Sequence, residues 1–230
     1  MTPEFHMFFS ADALAWMLAE QVAKELRHAI GVRGKASLVV SGGSTPKPFF
    51  AYLKAHDLPW DKLWVTLADE RWVDVTSPDS NEKLVREYLW VDGMHLVGLK
   101  NDATQVMGGV AACEKALGAM PHPFDVAILG MGDDGHTASL FPHMQHINEA
   151  LDPENPARCM AVTDAPKSPA ERMTLTASAL LDSRRVVVHI TGDKKRAVLD
   201  EALKLGSAMA LPIRAVLHQE KTPIDVYWAP

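Results

Sequence analysis

Short apolar runs that each break into a glycine-bearing or charged loop set the architecture of this chain. Ser37-Leu38-Val39-Val40 leads into Ser41-Gly42-Gly43-Ser44-Thr45-Pro46, with helix-compatible residues Pro48 to Lys54 behind it. Leu63 to Leu67 leads into Asp69-Glu70-Arg71-Trp72-Val73. Phe124 to Leu129 leads into Gly130-Met131-Gly132-Asp133-Asp134-Gly135-His136, where a helix is expected to begin. Arg185 to Ile190 leads into Thr191-Gly192-Asp193-Lys194-Lys195 and a helix expected through Leu205. Further strands are expected near Met160 to Val162 and over Ile224 to Trp228. Ser10 can cap a helix carrying the stripe Leu14, Leu18, Val22 and Leu26, ended by Gly31 and Gly34. Asn81 to Leu89 behind a Ser80 cap, Thr104 to Leu117 and Ala177 to Leu181 also have helical character. Strands alternating with helices predict an α/β fold, a single open, mostly parallel sheet with helices on both faces. It is Rossmann-like, and one domain over residues 1–230 is the simpler reading, because no linker or repeat interrupts it.

Parallel strands put the loops that follow them on one edge of the sheet, where open α/β folds bind ligands. Four such loops carry polar chemistry: Ser41 to Thr45, Asp69 to Arg71, Asp133 to His136 and Gly192 to Lys195. A histidine on a glycine-rich turn at a strand end is well placed to move a proton, so His136 is the leading catalytic candidate. Gly42, Gly43 and Ser44 before Pro46 read equally as an anion cradle at a helix N-terminus or as a plain strand–helix turn. The spacing is not that of a Walker loop, so no nucleotide is implied. Arg71 can clamp an anion or stabilise developing negative charge, whereas Glu70 reads better as a structural ion pair. Arg172 and Lys195 can pair with a phosphate, although in isolation each reads as a surface charge. His143, His146 and Glu149 have metal-like spacing but read better as a wet polar face.

Composition narrows the partners. A net charge of −6 argues against a general nucleic-acid binder and gives an anionic ligand no help from the average field. Such a ligand needs a local cluster of Arg, Lys and backbone amides. The two cysteines, Cys113 and Cys159, sit in no metal or redox spacing and read as buried free thiols of a reducing compartment. The N-terminal residues show no basic segment followed by an apolar one, and no apolar run approaches the about 18 residues of a membrane span. The cytoplasm is the expected location.

With these loops in order, the chain resembles the 6-phosphogluconolactonases of the pentose phosphate pathway, which share a superfamily with the glucosamine-6-phosphate deaminases. The resemblance runs from Ser10 to near the C-terminus. It is carried by Ser41 to Pro46, Asp69 to Val73, Ser80-Asn81-Glu82, Gly130 to Pro142, Arg172-Met173-Thr174-Leu175-Thr176 and Thr191 to Lys195. Two departures separate it from the deaminases, which place a glutamate directly before the proline of the histidine loop and a tyrosine after Asp-Glu. Here those positions are Phe141 and Arg71.

The resemblance implies a fold of the deaminase/lactonase type and hydrolysis of 6-phospho-D-glucono-1,5-lactone to 6-phosphogluconate, with no metal and no cofactor. His136 would activate water and return the proton to the leaving ring oxygen, while Arg71 or loop amides would stabilise the oxyanion. Asp69 or Asp134 would orient the imidazole, with Asp69 favoured and Asp134 otherwise a substrate contact. Gly42, Gly43, Ser44, Arg172 and Lys195 would hold the phosphate; Lys195 is preferred to Lys194 because the family's lysine falls three residues after the glycine. A deaminase/isomerase and a non-catalytic sugar-phosphate sensor are the competing readings.

Overall fold

The computed structural model describes residues 2–230. Its strands are β1 (Glu4–Met7), β2 (Ala36–Val40), β3 (Leu63–Leu67), β4 (Asp69–Arg71), β5 (His95–Val97), β6 (Val126–Leu129), β7 (Cys159–Val162), β8 (Arg172–Leu175), β9 (Val186–Thr191) and β10 (Ile224–Ala229). Its α-helices are α1 (Ala11–Arg33), α2 (Pro46–Lys54), α3 (Asn81–Tyr88), α4 (Val106–Gly118), α5 (Ile147–Leu151), α6 (Ala177–Leu181), α7 (Asp193–Ala202) and α8 (Arg214–Leu217).

Seven strands form one parallel sheet in the order β1-β10-β9-β6-β2-β3-β5. Every residue of β2 and β6 is buried, so both faces of the centre are covered, and the strands read as unbroken apolar runs for that reason. From β2 the chain moves one way to β3 and β5, and returns on the other side of β2 with β6, β9 and β10. The strand order therefore reverses between β2 and β6, and the loops after these two strands open a crevice at the carboxyl edge.

Local chemistry fixes the helix ends. Ser10 Oγ accepts the Ala13 N–H at 3.1 Å and starts α1. Gly34, at φ 77°, ends it by donating its N–H to the Ile30 carbonyl. Gly31 does not end the helix as expected; it lies inside α1, held by the buried stripe from Leu14 to Ile30. Pro46 opens α2 at its first turn, where its missing N–H costs nothing. Helix α7 stops at Ala202, short of the expected Leu205, whose side chain stands in solvent.

The expected single sheet is joined by a second, antiparallel one in the order β4-β8-β7. Asp69 to Arg71 is thus a strand rather than a loop. Its register sets Arg71 directly opposite Arg172, Asp69 opposite Thr174 and Glu70 opposite Met173. Two like charges facing each other across a ladder are normally avoided. Here they sit side by side at the crevice.

Candidate active site

The stretch after β6 is a tight turn, and no helix begins at His136. The Gly132 N–H donates to the His136 carbonyl at 2.9 Å, and Thr137 Oγ1 donates to the Gly130 carbonyl at 2.8 Å. The Ile213 N–H donates to the Gly135 carbonyl at 2.9 Å, tying the turn to the start of α8. Gly135 has φ +78°, and a Cβ at Gly132 would stand 2.1 Å from His136 Cε1, so the imidazole lies flat on the space a side chain would fill. Phe141 closes the other side, its ring centroid 4.7 Å from that of His136.

Asp134 Oδ1 lies 2.5 Å from His136 Nδ1 and also accepts the His136 backbone N–H at 3.1 Å. Burial alone would raise this carboxyl, but the facing imidazole and these hydrogen bonds outweigh it and hold Asp134 below its ordinary range. An ionised carboxylate only accepts, so Nδ1 carries the proton and Nε2 presents a lone pair. Of the two aspartates left open for orienting the imidazole, Asp134 is the one hydrogen-bonded to it, not the favoured Asp69. Asp69 instead accepts Ser139 Oγ at 2.6 Å and the Asn81 side-chain amide at 3.4 Å.

Glu70 is buried and, among the described residues, makes no ion pair. Its two carboxylate oxygens accept the backbone N–H groups of Arg71, Asn81 and Glu82 and the Ser80 hydroxyl, at 2.7 to 3.0 Å. Burial raises its pKa, and these four donors pull the other way. It clamps the N-terminus of α3 to β4 and so places Asn81, whose Oδ1 accepts Arg71 Nη1 at 2.9 Å.

These elements enclose a cavity of about 280 Å³ at the strand-order reversal. Gly42, Gly43, Ser44, Asp69, Arg71, His136, Arg172 and Lys195 all line it, so the sequence-read candidates other than Asp134 meet in one space. Asp134 stands behind His136. The lining carries Arg71, Arg172 and Lys195 against one carboxylate, Asp69, which makes the site locally positive in an acidic chain. The two adjacent glycines differ in purpose. A Cβ at Gly42 would collide with Asn81 Oδ1 at 1.9 Å, whereas Gly43, at φ +96°, faces open space. Thr45 makes no side-chain capping bond to α2, Pro46 and Pro48 carry no N–H, and the Lys47 N–H donates to the Ser44 carbonyl at 3.3 Å, so the first turn of that helix has few amides free to meet an anion.

Arg172 is buried. Its Nε donates to the Pro169 carbonyl at 2.8 Å and its Nη2 to Lys167 at 3.1 Å, and it lies 5.7 Å from the Phe141 ring. Burial lowers its pKa, with Asp69 opposing. Phe141 therefore packs against both His136 and Arg172, where a carboxylate would have reached each of them. Lys194 turns away to pair with Asp133 at 2.6 Å, leaving Lys195 as the lysine of the site.

Residues 10–228 match the family described as glucosamine-6-phosphate isomerases/6-phosphogluconolactonase. The chain belongs to that family. A 6-phosphogluconolactonase of Rhizobium meliloti is 42% identical over the full length of both chains. The crystal structure of a 6-phosphogluconolactonase from Shewanella baltica is 43% identical, covers 99% of this chain and 98% of its own, and superposes with a TM-score of 0.95. A monomeric glucosamine-6-phosphate deaminase, 16% identical, covers 98% of this chain and 97% of its own; at a TM-score of 0.81 it shares the fold. The α/β sheet is therefore that of the family, and its members span both chemistries weighed from the sequence.

His146 pairs with Glu149 at 3.2 Å on an exposed face, in keeping with a wet polar surface. Among the described residues, the one group of three metal-capable side chains near enough to share an ion is Glu4, His6 and Asp225. It lies on β1 and β10 at the far sheet edge, where Arg185 already pairs with Asp225. Cys113 and Cys159 are both buried and free, and their mutual contact, with burial after it, pushes the Cys159 thiol upward. Among the described residues no helix is long and apolar enough to cross a membrane. Sequence reasoning gave no site role to Asn81, Ser139 or His189: the first two lie within quoted motifs without a role of their own, and His189 sits in a strand that otherwise reads as core.

Proposed function

We propose that this site hydrolyses 6-phospho-D-glucono-1,5-lactone to 6-phospho-D-gluconate, a step of the oxidative pentose phosphate pathway, in the cytoplasm. A single domain over residues 1–230 does this, with a sugar phosphate as its small-molecule partner. The observation that carries the reading is the Asp134–His136 pair, aimed into the same locally positive cavity as Arg71, Arg172, Lys195 and the Gly43–Ser44 turn. The family's lactonases, at 42–43% identity over nearly the whole chain, support it.

The phosphate end is held by the Gly43 and Ser44 amides, Arg172 and Lys195. His136 Nε2 takes a proton from water as the water oxygen attacks the lactone carbonyl carbon. The carbonyl π bond becomes an oxyanion, which Arg71 and the loop amides stabilise. Asp134 stabilises the imidazolium and keeps its ring in place. Collapse of the oxyanion breaks the bond to the ring oxygen, and His136 returns its proton there, giving a hydroxyl and a carboxylic acid. Asp69 keeps the two neighbouring arginines from repelling each other and fixes the Ser139 hydroxyl.

Hydrolysis of freshly made lactone, measured above its spontaneous rate, tests the reading. Turnover by the wild type and its loss in His136→Ala are expected. Ammonia release from glucosamine 6-phosphate in place of lactone turnover would instead assign the deaminase reaction. Binding of sugar phosphates with neither reaction would assign a sensor.

A further inference from the structure

One lining residue has no part in that mechanism. His189 lies within β9, among Val186, Val187, Val188 and Ile190, where every other interior position is aliphatic. It is 3% exposed. Phe49 of α2 meets it edge-on, ring centroids 6.3 Å apart. Lys195 of α7 is the charged group that acts on it; burial first, and then this charge, push the imidazole down to about 4, so it is neutral. No side-chain hydrogen bond holds it among the described residues. Yet its nitrogens are not sealed in the core, since the one fully buried orphan there is His122 Nδ1. The imidazole opens into the cavity.

A neutral imidazole carries one N–H donor, and here no protein acceptor among the described residues takes it, so it is open to a ligand in the cavity. The same cavity is lined by the Gly43 to Thr45 turn that follows β2 and by Lys195 in the first turn of α7, whose charge reaches His189. The ammonium and the α7 N-terminus favour an anion. We propose that His189 is a binding residue for the phosphomonoester of the substrate, donating its ring N–H to a phosphate oxygen from the cavity floor. This rests on the sugar-phosphate reading of the site. It adds a donor to the phosphate end without adding a fourth cation that an empty, buried site would have to solvate.

The test is calorimetric binding of 6-phosphogluconate to the wild type, His189→Leu, His189→Asn and His189→Gln, with near-UV circular dichroism to verify each fold. A hydrogen bond to a charged group is worth about 1.5–3 kcal/mol, so His189→Leu is expected to weaken binding by roughly 10- to 100-fold. At least one amide variant, which restores an N–H, is expected to stay within about threefold of wild type. In the lactonase assay His189→Leu should lower kcat/KM for the phosphorylated lactone by a similar factor. Unchanged binding in a folded His189→Leu overturns the proposal, as does equal loss in all three variants. A wild type that binds 6-phosphogluconate in this His189-dependent way without hydrolysing lactone would sustain the proposal while removing the lactonase reading.

Discussion

At the scale of single residues, the proposed chemistry needs a free nitrogen on His136. Asp134 fixes the proton on Nδ1, which leaves Nε2 for the proposed role of base. Asparagine can offer its amide N–H to Nδ1 instead and so hold the opposite tautomer. Asp134→Asn is therefore expected to lower kcat by about a hundredfold or more with KM little changed. Steady-state kinetics on fresh lactone check this, and a kcat near wild type would return the orienting role to another group. In the proposed complex Arg172 holds the phosphate end of the substrate. Its replacement by alanine should damage use of the phosphorylated lactone and leave the unphosphorylated lactone nearly unaffected. Unchanged kinetics on the phosphorylated substrate would remove Arg172 from the site.

At the scale of elements, the three-residue strand β4 matters beyond its length. It brings Arg71 opposite Arg172, and Glu70 beneath it gathers three backbone N–H groups and one hydroxyl at the start of α3. Glutamine at position 70 turns one acceptor oxygen into an amide that faces donors. With two hydrogen bonds to a charged acceptor lost, Glu70→Gln is expected to cost about 2–4 kcal/mol of stability, read as a lower denaturant midpoint. A loss of stability under about 0.5 kcal/mol would contradict the clamp. The long elements were legible in the sequence because their signals are redundant: the α1 stripe repeats over many turns, β6 is apolar throughout, and β2 and β9 are mostly so. The strands β1, β4, β5 and β8 were not, since three or four residues carry too little pattern and β4 is charged. Position 134 against position 69 was equally closed to sequence, because both aspartates precede the site and only folding decides which one reaches the imidazole. His189 was hidden for a related reason, sitting in a run that otherwise reads as core.

On the scale of the whole molecule, the reversal of strand order between β2 and β6 gathers charge that the chain as a whole lacks. Net charge is −6, while the cavity lining holds three cations against one carboxylate. Its buried histidine also sets a pH limit. His189 is held neutral down to about 4 in the fold but takes a proton near 6.5 when exposed. Between those values the unfolded chain binds the extra proton, so this contribution is complete above pH 6.5 and is lost as pH falls toward 4. The gap corresponds to about 3 kcal/mol. Denaturant unfolding at pH 7 and pH 4 should thus show a smaller acid loss in His189→Leu than in wild type. Equal losses would mean that His189 is not buried neutral.

The most direct measurement of the central claim is hydrolysis of freshly generated 6-phosphogluconolactone by the wild type and by His136→Ala, with glucosamine 6-phosphate as control. Wild-type turnover far above the spontaneous rate is expected, together with its disappearance in the variant and no ammonia from the control. A wild type no faster than the uncatalysed reaction, or a His136→Ala variant as fast as wild type, would contradict the account.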